Sequence, residues 1–437
     1  MATLRTVTLG CKVNQYETEY VRQGLLQAGY RDAAADEPAD LCVVNTCTVT
    51  TEGDAKSRQI VRQLAKRNPD SRIVVMGCYA TRAPAEVARL PSVSEVVTDK
   101  RELPDLLARF GVVDIPTGIS TFANRQRAYV KVQDGCMLNC SFCIIPHVRP
   151  VLASRPPLEI LDEIGRLVEN GYRELILTGI HLGHYGVEWN RGRPKREWLR
   201  LSHLLDRIAA MQGDFRVRLS SIEATEVTRE LLATMAASPE RVCPHLHISM
   251  QSGSDAVLRR MRRRWGAQRF LDRCRLAKAM LDRPALTTDI IVGFPGEMED
   301  DFAATCEMAR EVGFSKIHIF PFSPRPGTPA ARMDGQNPPD VKADRCQRLA
   351  NLESDLRDRY FRGLVGRQLR VLVESPVANR PGRMVGTSCR YAPVELDGTI
   401  EIRKRFVEVT AGSVDGGRIL GEPPLRTPRD ESSPSAK

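Results

Sequence analysis

Short apolar runs alternate with amphipathic helical segments along most of this 437-residue chain. Between Thr6 and about Gly111 the apolar runs read TVTLG, LCVVNTC and RIVVMGC, and each is followed by a segment with helical periodicity, such as NQYETEYVRQGLLQAG. Continuous apolar strands separated by amphipathic helices are typical of a parallel sheet that is covered on both faces. The pattern therefore predicts an open parallel α/β domain over residues 1–115.

The same alternation resumes between Tyr129 and Tyr360 with a different number of units. Six strands are expected, at AYVKVQD, ELILTGI, FRVRLSSI, HLHISM, LTTDIIVGF and KIHIFPF. A closed barrel built from such units needs eight of them. We therefore expect a partial, TIM-like (β/α)6 barrel in a second domain that covers residues 122–360.

The last part of the chain has a different pattern. Short β-rich runs, among them LVGRQLRVLVES and TIEIRKRFVEVTAG, are separated by Gly, Pro and Asn. This pattern predicts a small antiparallel β-barrel over residues 361–422. The remaining segment, residues 423–437, has a composition typical of a disordered tail.

Composition and charge narrow the functional classes. A formal net charge of +10 permits a polyanionic partner such as RNA, although a general bias toward arginine would give the same total. The N-terminus has no apolar signal segment, and no stretch approaches about 18 uncharged apolar residues, so we expect a cytoplasmic protein without a membrane span. In a reducing compartment the 12 cysteines are expected to be metal ligands or small buried hydrophobes.

Three of these cysteines, Cys136, Cys140 and Cys143, lie within eight residues, directly after the first predicted barrel strand. Structural zinc usually takes four ligands and a disulfide takes two, so a triplet fits neither well. An iron–sulfur cluster held by three thiolates keeps one iron free for an outside ligand. The alternative is a zinc or redox site completed by a nearby residue such as His147.

A second set of cysteines follows the strands of the front domain. Cys11, Cys47 and Cys78 each fall at or just beyond the carboxyl end of a predicted strand, separated by 36 and 31 residues. The carboxyl ends of parallel strands lie along one edge of a sheet, where ligands bind. We therefore infer that these three thiols converge on a second three-thiolate site.

Polar residues and glycines cluster after the barrel strands as well. Glycines let the backbone approach a ligand closely, while hydroxyl and carboxylate groups suit a ribose or an amino acid. Strand ends of a barrel share one face, so these residues predict a ligand pocket there. The candidates for binding a cofactor in this pocket are Gly179, Ser221, Glu223, Gln251, Gly293 and Glu297.

The CxxxCxxC spacing of the triplet, with the aromatic Phe142 before its last cysteine, resembles the signature of radical S-adenosylmethionine enzymes. This resemblance implies a 4Fe-4S cluster whose free iron is chelated by S-adenosylmethionine, with Phe142 and the six strand-end residues as contacts of that cofactor. The front-domain stretches LGCKVNQYE, VVNTCTV and GCYA look like those of the methylthiotransferases. Membership of that family implies an auxiliary 4Fe-4S cluster on the three front-domain cysteines, the same set that topology selects.

The family's chemistry explains why the sequence shows no acid–base pair. One S-adenosylmethionine methylates a sulfur on the auxiliary cluster, and reduction of a second gives a radical that removes hydrogen from carbon 2 of an adenine. The methylthio group then takes the vacant position. Such chemistry depends on the cofactors, which the protein binds and orients.

CKVNQYETE, TGIHLGHYG and TDIIVGFPGE most resemble the family members that act on N6-threonylcarbamoyladenosine beside the tRNA anticodon. Two departures, Pro150 where glycine is frequent and Ala224 where proline is common, lie in loops near the expected substrate site. Isopentenyl-adenosine in tRNA and a ribosomal-protein aspartate are alternative substrates. Outside enzymes, an iron–sulfur electron carrier or an RNA-binding module remains open, although a carrier normally completes its clusters with four protein ligands.

The resemblance also implies partners. They are tRNA, an electron donor of the flavodoxin or ferredoxin type, and a sulfur donor. The terminal β-rich segment resembles the TRAM domain that contacts RNA in these enzymes. Its charge gives mild support, with 10 lysines and arginines against 7 acidic residues between Phe361 and Glu422, and its IRKRF stretch faces either a phosphate backbone or solvent at a strand edge.

Residues 259–270, RRMRRRWGAQRF, place Trp265 and Phe270 between arginines. Such interleaving suits stacking on a nucleic-acid strand, but the arginines of a helix leaving the barrel also form a solvent face. We assign no role to His181, His184, His245 and His247, because hydrogen-bonded structural histidines are commoner than catalytic ones. Five further cysteines without partner spacing are interpreted as core or surface thiols: Cys243, Cys274, Cys306, Cys346 and Cys389.

Overall fold

The computed structural model describes residues 1–123 and 125–423 and contains three domains in the expected order. The predicted disordered tail, residues 423–437, lies almost entirely outside the described residues. Within the described part of the chain, no helix has the length and apolar character needed to cross a membrane.

The front domain is an open sheet with helices on both faces. Its five strands are all parallel, in the order β2-β1-β3-β4-β5. The strands are β1 (Thr3–Thr8), β2 (Arg31–Asp32), β3 (Leu41–Thr46), β4 (Arg72–Gly77) and β5 (Val93–Val96). The helices are α1 (Lys12–Gln27), α2 (Thr51–Arg67), α3 (Cys78–Arg82), α4 (Pro84–Ala88) and α5 (Leu103–Arg109).

The three strands expected from the sequence are β1, β3 and β4, which form the centre of this sheet. Every residue of β3 is buried, as its continuous apolar run predicts for a strand covered on both faces. The sequence missed the edge strands β2 and β5. They are two and four residues long and partly polar, so they carry little of the hydrophobic pattern.

All six predicted strands of the central domain are present, and they form an open barrel of parallel strands. The strands are β6 (Arg127–Asp134), β7 (Ala153–Ser154), β8 (Glu174–Gly179), β9 (Arg216–Leu219), β10 (Ser221–Ile222), β11 (His245–Ile248), β12 (Ala285–Val292) and β13 (Lys316–Pro321). The short β7 adds an antiparallel edge to β6, and β9 and β10 are two parts of one predicted strand. The helices are α6 (Ile145–Val148), α7 (Pro157–Glu169), α8 (Leu201–Ala209), α9 (Arg229–Ala237), α10 (Asp255–Arg260), α11 (Ala267–Met280), α12 (Glu299–Val312) and α13 (Pro339–Arg362).

The two faces of this barrel differ in polarity. Apolar residues such as Leu246, Ile248 and Leu286 belong to one large core that includes residues of the surrounding helices. Their neighbours in sequence, such as His247 and Thr287, point to the opposite, inner face because successive strand residues alternate. A full eight-stranded barrel fills its interior with branched apolar side chains, whereas this open barrel has a polar lumen.

The C-terminal domain is a closed five-stranded barrel in the order β14-β15-β16-β18-β17. Its strands are β14 (Gln368–Pro376), β15 (Arg383–Ser388), β16 (Pro393–Asp397), β17 (Phe406–Asp415) and β18 (Arg418–Glu422). The expected antiparallel pairing is correct for all pairs except β16 and β18, which are parallel. The basic part of IRKRF, Arg403 to Arg405, is exposed in a turn before β17, so the strand-edge interpretation is wrong.

A buried ion network attaches this small barrel to the amino ends of the central strands. Glu174, at the start of β8, accepts hydrogen bonds from Arg216 Nε at 2.7 Å and Arg218 Nε at 3.0 Å. The same two guanidinium groups donate to backbone carbonyls of the C-terminal barrel, including Thr387 at 2.8 Å and Ser388 at 3.1 Å. The two arginines therefore need the carboxylate for charge and the small barrel for hydrogen bonds.

We predict that Glu174→Gln lowers the free energy of unfolding by about 3–5 kcal/mol, because it leaves two buried guanidinium groups without a counter-charge. Burial alone would raise the pKa of Glu174, but Arg218 and Arg216 hold it well below its ordinary value of 4.5. The stabilisation is therefore present above pH 4.5 and is lost as the pH falls further. Urea unfolding of both proteins at pH 7 and pH 4 measures the difference.

The matched control for this variant is Asp214→Asn, which removes an acid that pairs with Arg370 of the same barrel but is 56% exposed. An exposed pair contributes less than about 1 kcal/mol. An equal decrease in the free energy of unfolding in the two variants would contradict the role of Glu174 in attaching the C-terminal barrel to the central barrel.

Candidate active site

The cysteine triplet lies in the loop between β6 and α6, at the carboxyl end of the barrel strands. Its three thiols line a cavity of about 160 Å³. A hydrogen bond from Cys143 N to Cys140 O, at 3.1 Å, forms a tight turn between these two cysteines. The three thiols therefore share one cavity, which has space for a further group.

Burial and mutual repulsion disfavour thiolates at this site unless a cation is bound. Burial, together with the neighbouring thiols Cys140 and Cys136, raises the pKa of Cys143 to about 12. Burial also raises the pKa of Cys140, which Arg263 opposes by donating from Nη1 to the Cys140 sulfur at 3.3 Å. A bound metal cation would stabilise the thiolates in this setting.

His181 borders the same cavity from the loop after β8. Its Nδ1 lies 3.7 Å from the Cys136 sulfur, and its Nε2 lies 3.4 Å from a carboxylate oxygen of Glu226. Burial disfavours the imidazolium, but the neighbouring Cys136 sulfur and Glu226 carboxylate outweigh it and raise the pKa of His181 to about 9. Together with Arg263, His181 brings positive charge to the thiolates.

The three front-domain cysteines also converge, as the strand topology predicts. A Cβ placed on Gly10, which has φ +99°, would lie 3.1 Å from the Cys47 sulfur, so the loop of Cys11 packs directly on Cys47. Gly77, with φ +98°, brings the loop of Cys78 against the backbone of Thr46 in the same way. Burial raises the pKa of Cys47, and the thiols of Cys78 and Cys11 raise it further.

One side chain connects the two sulfur sites. Arg149 follows the triplet in the central domain, is 4% exposed, and donates from Nε to the Cys78 sulfur of the front domain at 3.4 Å. Its other nitrogens donate to Glu17 and Asp134 at 2.8 to 2.9 Å. The Arg149 carbonyl accepts from Cys136 N at 3.2 Å, so this residue touches both cysteine loops.

A second arginine joins the domains nearby. Arg325, in the loop after β13, donates to Thr48 Oγ1 at 2.5 Å and to Asp54 Oδ2 at 2.6 Å. Thr48 follows Cys47 directly, so both interdomain arginines act beside cluster-site cysteines. The front domain therefore covers the carboxyl ends of the barrel strands, opposite the C-terminal barrel.

Four of the predicted cofactor contacts line the triplet cavity, namely Phe142, Ser221, Glu223 and Gln251. Their roles stay predictions, but the structure brings them together with the three sulfurs. Gly179 is one residue removed, since Ile180 lines the cavity. Two further predicted contacts, Gly293 and Glu297, lie outside this cavity.

Gly293 and Glu297 do not line this cavity. Glu297 is 2% exposed and accepts hydrogen bonds from Gly293 N at 2.5 Å and from Arg345 Nη1 at 2.7 Å. The carboxylate thus stabilises its own loop against α13. His147, the suggested fourth ligand of a zinc site, lines a separate cavity of about 290 Å³ instead.

The stacking interpretation of residues 259–270 is wrong for its aromatic side chains. Trp265 is 6% exposed and Phe270 is fully buried, so neither presents a ring to an RNA strand. Trp265 Nε1 donates to Glu223 Oε2 at 3.1 Å, and Arg263 forms an ion pair with the same carboxylate. This segment therefore forms part of the wall of the triplet cavity through Arg263 and its partner Glu223.

Sequence reasoning missed Arg149, Arg263 and His181 as site residues. Each belongs to a stretch that the sequence marks as unusual, but the pattern gives no contact between segments far apart in the chain. Arg263 meets Cys140 across 123 residues, and Arg149 meets Cys78 across 71 residues. Only the folded chain makes these pairs visible.

Two family models match the chain. Residues 3–99 match the uncharacterized protein family UPF0004, and residues 130–309 match the Radical SAM superfamily. The solved structure of the radical S-adenosylmethionine methyltransferase TsrM from Kitasatospora setae superposes with a TM-score of 0.56 at 13% identity, covering 76% of this chain and 75% of that one. At this identity the likeness concerns the fold alone.

Curated relatives are much more similar in sequence. Threonylcarbamoyladenosine tRNA methylthiotransferase MtaB of Bacillus subtilis is 39% identical over 94% of this chain and 93% of its own length. The tRNA-2-methylthio-N(6)-dimethylallyladenosine synthase of Acidothermus cellulolyticus is 38% identical over 85% of this chain and 77% of its own length. With two three-cysteine sites in the matching domains, the chain belongs to the radical S-adenosylmethionine tRNA methylthiotransferase family.

Proposed function

We propose that this enzyme methylthiolates carbon 2 of N6-threonylcarbamoyladenosine next to the anticodon of tRNA, using S-adenosylmethionine and two 4Fe-4S clusters. The observation that carries the chemistry is the meeting of two three-thiol sites, one in each domain, around Arg149. The substrate follows from the MtaB relatives, which are 38–39% identical over 86–96% of this chain in three species.

The donor atoms present fit the two clusters. Each site offers three thiols, Cys136, Cys140 and Cys143 in the barrel and Cys11, Cys47 and Cys78 in the front domain, and soft thiolates select iron–sulfur clusters or zinc. A structural zinc site would need a fourth protein ligand, and the candidate His147 lines the separate cavity of about 290 Å³. When bound, the barrel cluster would supply the electron that cleaves S-adenosylmethionine, and the auxiliary cluster would carry the sulfur that is transferred.

The chain's own residues bind and orient in this scheme. Ser221 and Gln251 bring polar groups to the cavity wall, where they suit the hydroxyls and the amino-acid portion of S-adenosylmethionine. Glu223 is held by Arg263 and Trp265, so its carboxylate keeps one position in the wall. Phe142 packs edge to face on Phe294, with ring centroids 6.3 Å apart, which closes the apolar side.

The polar lumen of the barrel supports an adenosine substrate. Both cluster sites lie at the end that the front domain covers, so a nucleotide reaches them through the open side of the barrel. A base must leave the anticodon stack to enter such a site. The departures from the family pattern are accommodated here, since Ala224 is fully buried and Pro150 borders the neighbouring 290 Å³ cavity.

A second candidate substrate, dimethylallyladenosine (isopentenyl-adenosine) in tRNA, is favoured by the Acidothermus relative and by Mycobacterium relatives at 36% identity. The ribosomal-protein aspartate stays a weaker alternative. A tRNA substrate would place the enzyme in the cytoplasm, with an electron donor of the flavodoxin or ferredoxin type and a sulfur donor as further partners.

Our first functional prediction concerns iron content. The anaerobically reconstituted enzyme should hold about eight irons, and alanine at Cys136, Cys140 and Cys143 should leave about four and abolish cleavage of S-adenosylmethionine. Alanine at the three front-domain cysteines should also leave about four, but 5′-deoxyadenosine should still form without methylthio transfer. Iron analysis and product chromatography measure both results.

The control for the cysteine variants is Cys346→Ser combined with Cys389→Ser, since both residues are half-buried and belong to neither set, Cys346 being on α13 and Cys389 directly after β15. This variant should keep all of its iron. Full iron in either triple variant would show that those cysteines are structural.

A second prediction identifies the substrate. In a strain that lacks the gene, mass spectrometry of tRNA nucleosides should show loss of 2-methylthio-N6-threonylcarbamoyladenosine, and the wild-type gene should restore it, whereas Cys143→Ala should not. Loss of the methylthiolated dimethylallyladenosine instead would favour the second candidate. Unchanged tRNA nucleosides would refute both tRNA substrates.

The third prediction tests RNA binding by the C-terminal barrel. Glutamine at Arg403, Lys404 and Arg405, which are exposed in one turn, should weaken tRNA binding and flatten the plot of log affinity against log salt by about 2. The flattening is expected because each phosphate contact releases counterions on binding, and the variant forms fewer such contacts. Filter binding across a salt series provides the measurement.

The matched control removes three exposed positive charges from α2, at Arg62, Lys66 and Arg67. Both variants change the net charge equally, so only a local contact distinguishes them. Identical slopes for the two variants would assign the effect to overall charge and not to the terminal barrel.

A further inference from the structure

Outside the cysteine sites, two groups of side chains in the described part of the chain have ligand atoms close enough to share a metal ion. They are His181, His184 and Glu226, and His247, Asp289 and His318. In the first group the two imidazole rings stack with centroids 3.6 Å apart and planes 16° apart, so their nitrogen lone pairs run parallel instead of converging. His181 is also engaged with Cys136.

The second group is formed by three neighbouring strands of the barrel. His247 is on β11, Asp289 on β12 and His318 on β13, and Asp289 is the register partner of His318. His247 pairs in register with Thr287, two residues before Asp289. Residues two apart on a strand point to the same side, so the three side chains share the inner face of the barrel.

Their spacing fits a metal coordination sphere. The Nε2 atom of His247 lies 3.2 Å from Asp289 Oδ2, and all three ligand atoms lie within 4.8 Å of one another. Tetrahedral zinc with bonds of about 2.1 Å separates neighbouring ligand atoms by about 3.4 Å. His318 is exposed on the edge strand β13, so its side chain can move the remaining distance.

The key ligand atom is a buried nitrogen without a hydrogen bond. His247 Nε2 is shielded from solvent, and its contact with Asp289 Oδ2 at 3.2 Å is an ion pair that lacks hydrogen-bond geometry. An unpaired polar atom in a buried position costs free energy unless a ligand binds it. Two imidazoles and a carboxylate are a donor set that zinc and related ions prefer.

The other nitrogen of His247 is fixed in the way that metal-binding histidines usually are. Thr287 Oγ1 lies 3.0 Å from His247 Nδ1 and 3.2 Å from His245 Nε2. The hydroxyl of Thr287 therefore holds the Nδ1 side of the His247 ring, and Nε2 faces Asp289 Oδ2.

We propose that His247, Asp289 and His318 bind one divalent transition-metal ion of the zinc class. Three protein ligands leave at least one coordination position open, and it faces the lumen. Ser249, two residues after His247, lines the triplet cavity, so the ion would lie about 7 Å from that wall. The proposal does not depend on which nucleoside the enzyme modifies.

The positive charge of Lys12 indicates which class of ligand would occupy the open coordination position. This residue directly follows Cys11 in the front domain, and its ammonium group interacts electrostatically with both Asp289 and His318. A positive charge beside a metal attracts an oxygen anion to the open position. The ligand class expected there is therefore a carboxylate, a phosphate or hydroxide.

The test uses the anaerobic holoenzyme with both clusters in place. After equilibrium dialysis against zinc chloride, we expect about one zinc per chain with unchanged iron, and zinc X-ray absorption should show nitrogen and oxygen at about 2.0–2.1 Å. His247→Ala, Asp289→Asn and His318→Ala should each weaken zinc binding by more than about tenfold. His203→Ala, which removes a half-exposed histidine elsewhere, should bind as the wild type does.

Several results would overturn the proposal. These are no zinc on the wild type, equal zinc on all three variants, or zinc gained in proportion to iron lost with sulfur at about 2.3 Å in the absorption spectrum. Loss of zinc in His184→Ala alone would assign it to the other group. Because His318 is exposed, His318→Ala should fold and keep its clusters even where His247→Ala does not, so the test does not depend on one variant.

Discussion

The guanidinium group of Arg149 is the interaction on which the arrangement of this enzyme depends. It is buried between the front domain and the barrel, where it pairs with Glu17 of one and Asp134 of the other and donates to the sulfur of Cys78. A buried arginine of this kind is stable only when its partners come from both sides. Docking of the two domains is therefore coupled to the approach of the two cysteine loops.

The positive charge of Arg149 also lowers the pKa of both carboxylates, Glu17 and Asp134. Burial would raise the pKa of Glu17, but Arg149 and Lys131 hold it below its ordinary value, and Lys131 and Arg149 do the same for Asp134. At neutral pH the network is fully ionised. A cluster bound by the front-domain cysteines, as proposed, would add negative charge next to this cation, so cluster binding and domain docking would stabilise each other.

The two ends of the central barrel contact different domains. Its carboxyl ends carry the triplet and meet the front domain, while Glu174 and two arginines close the amino ends against the small β-barrel. Between them the inner face stays polar, because six strands do not close the ring and water or a ligand enters from the side. The apolar residues that would fill a closed barrel pack outward on the helices instead.

The sequence alone determined the fold class and the six barrel strands and placed six cysteines at strand ends, because hydrophobic periodicity and the order of strands and helices can be read along the chain. Tertiary structure decided what surrounds the sulfurs. Arg263 and Trp265 contact the Glu223 carboxylate, although the sequence of their segment is typical of a basic surface. Glu297 accepts a hydrogen bond from Arg345 and does not line the cavity. Such choices depend on which distant side chain offers a buried charge its partner, and no pattern along the chain records that pairing.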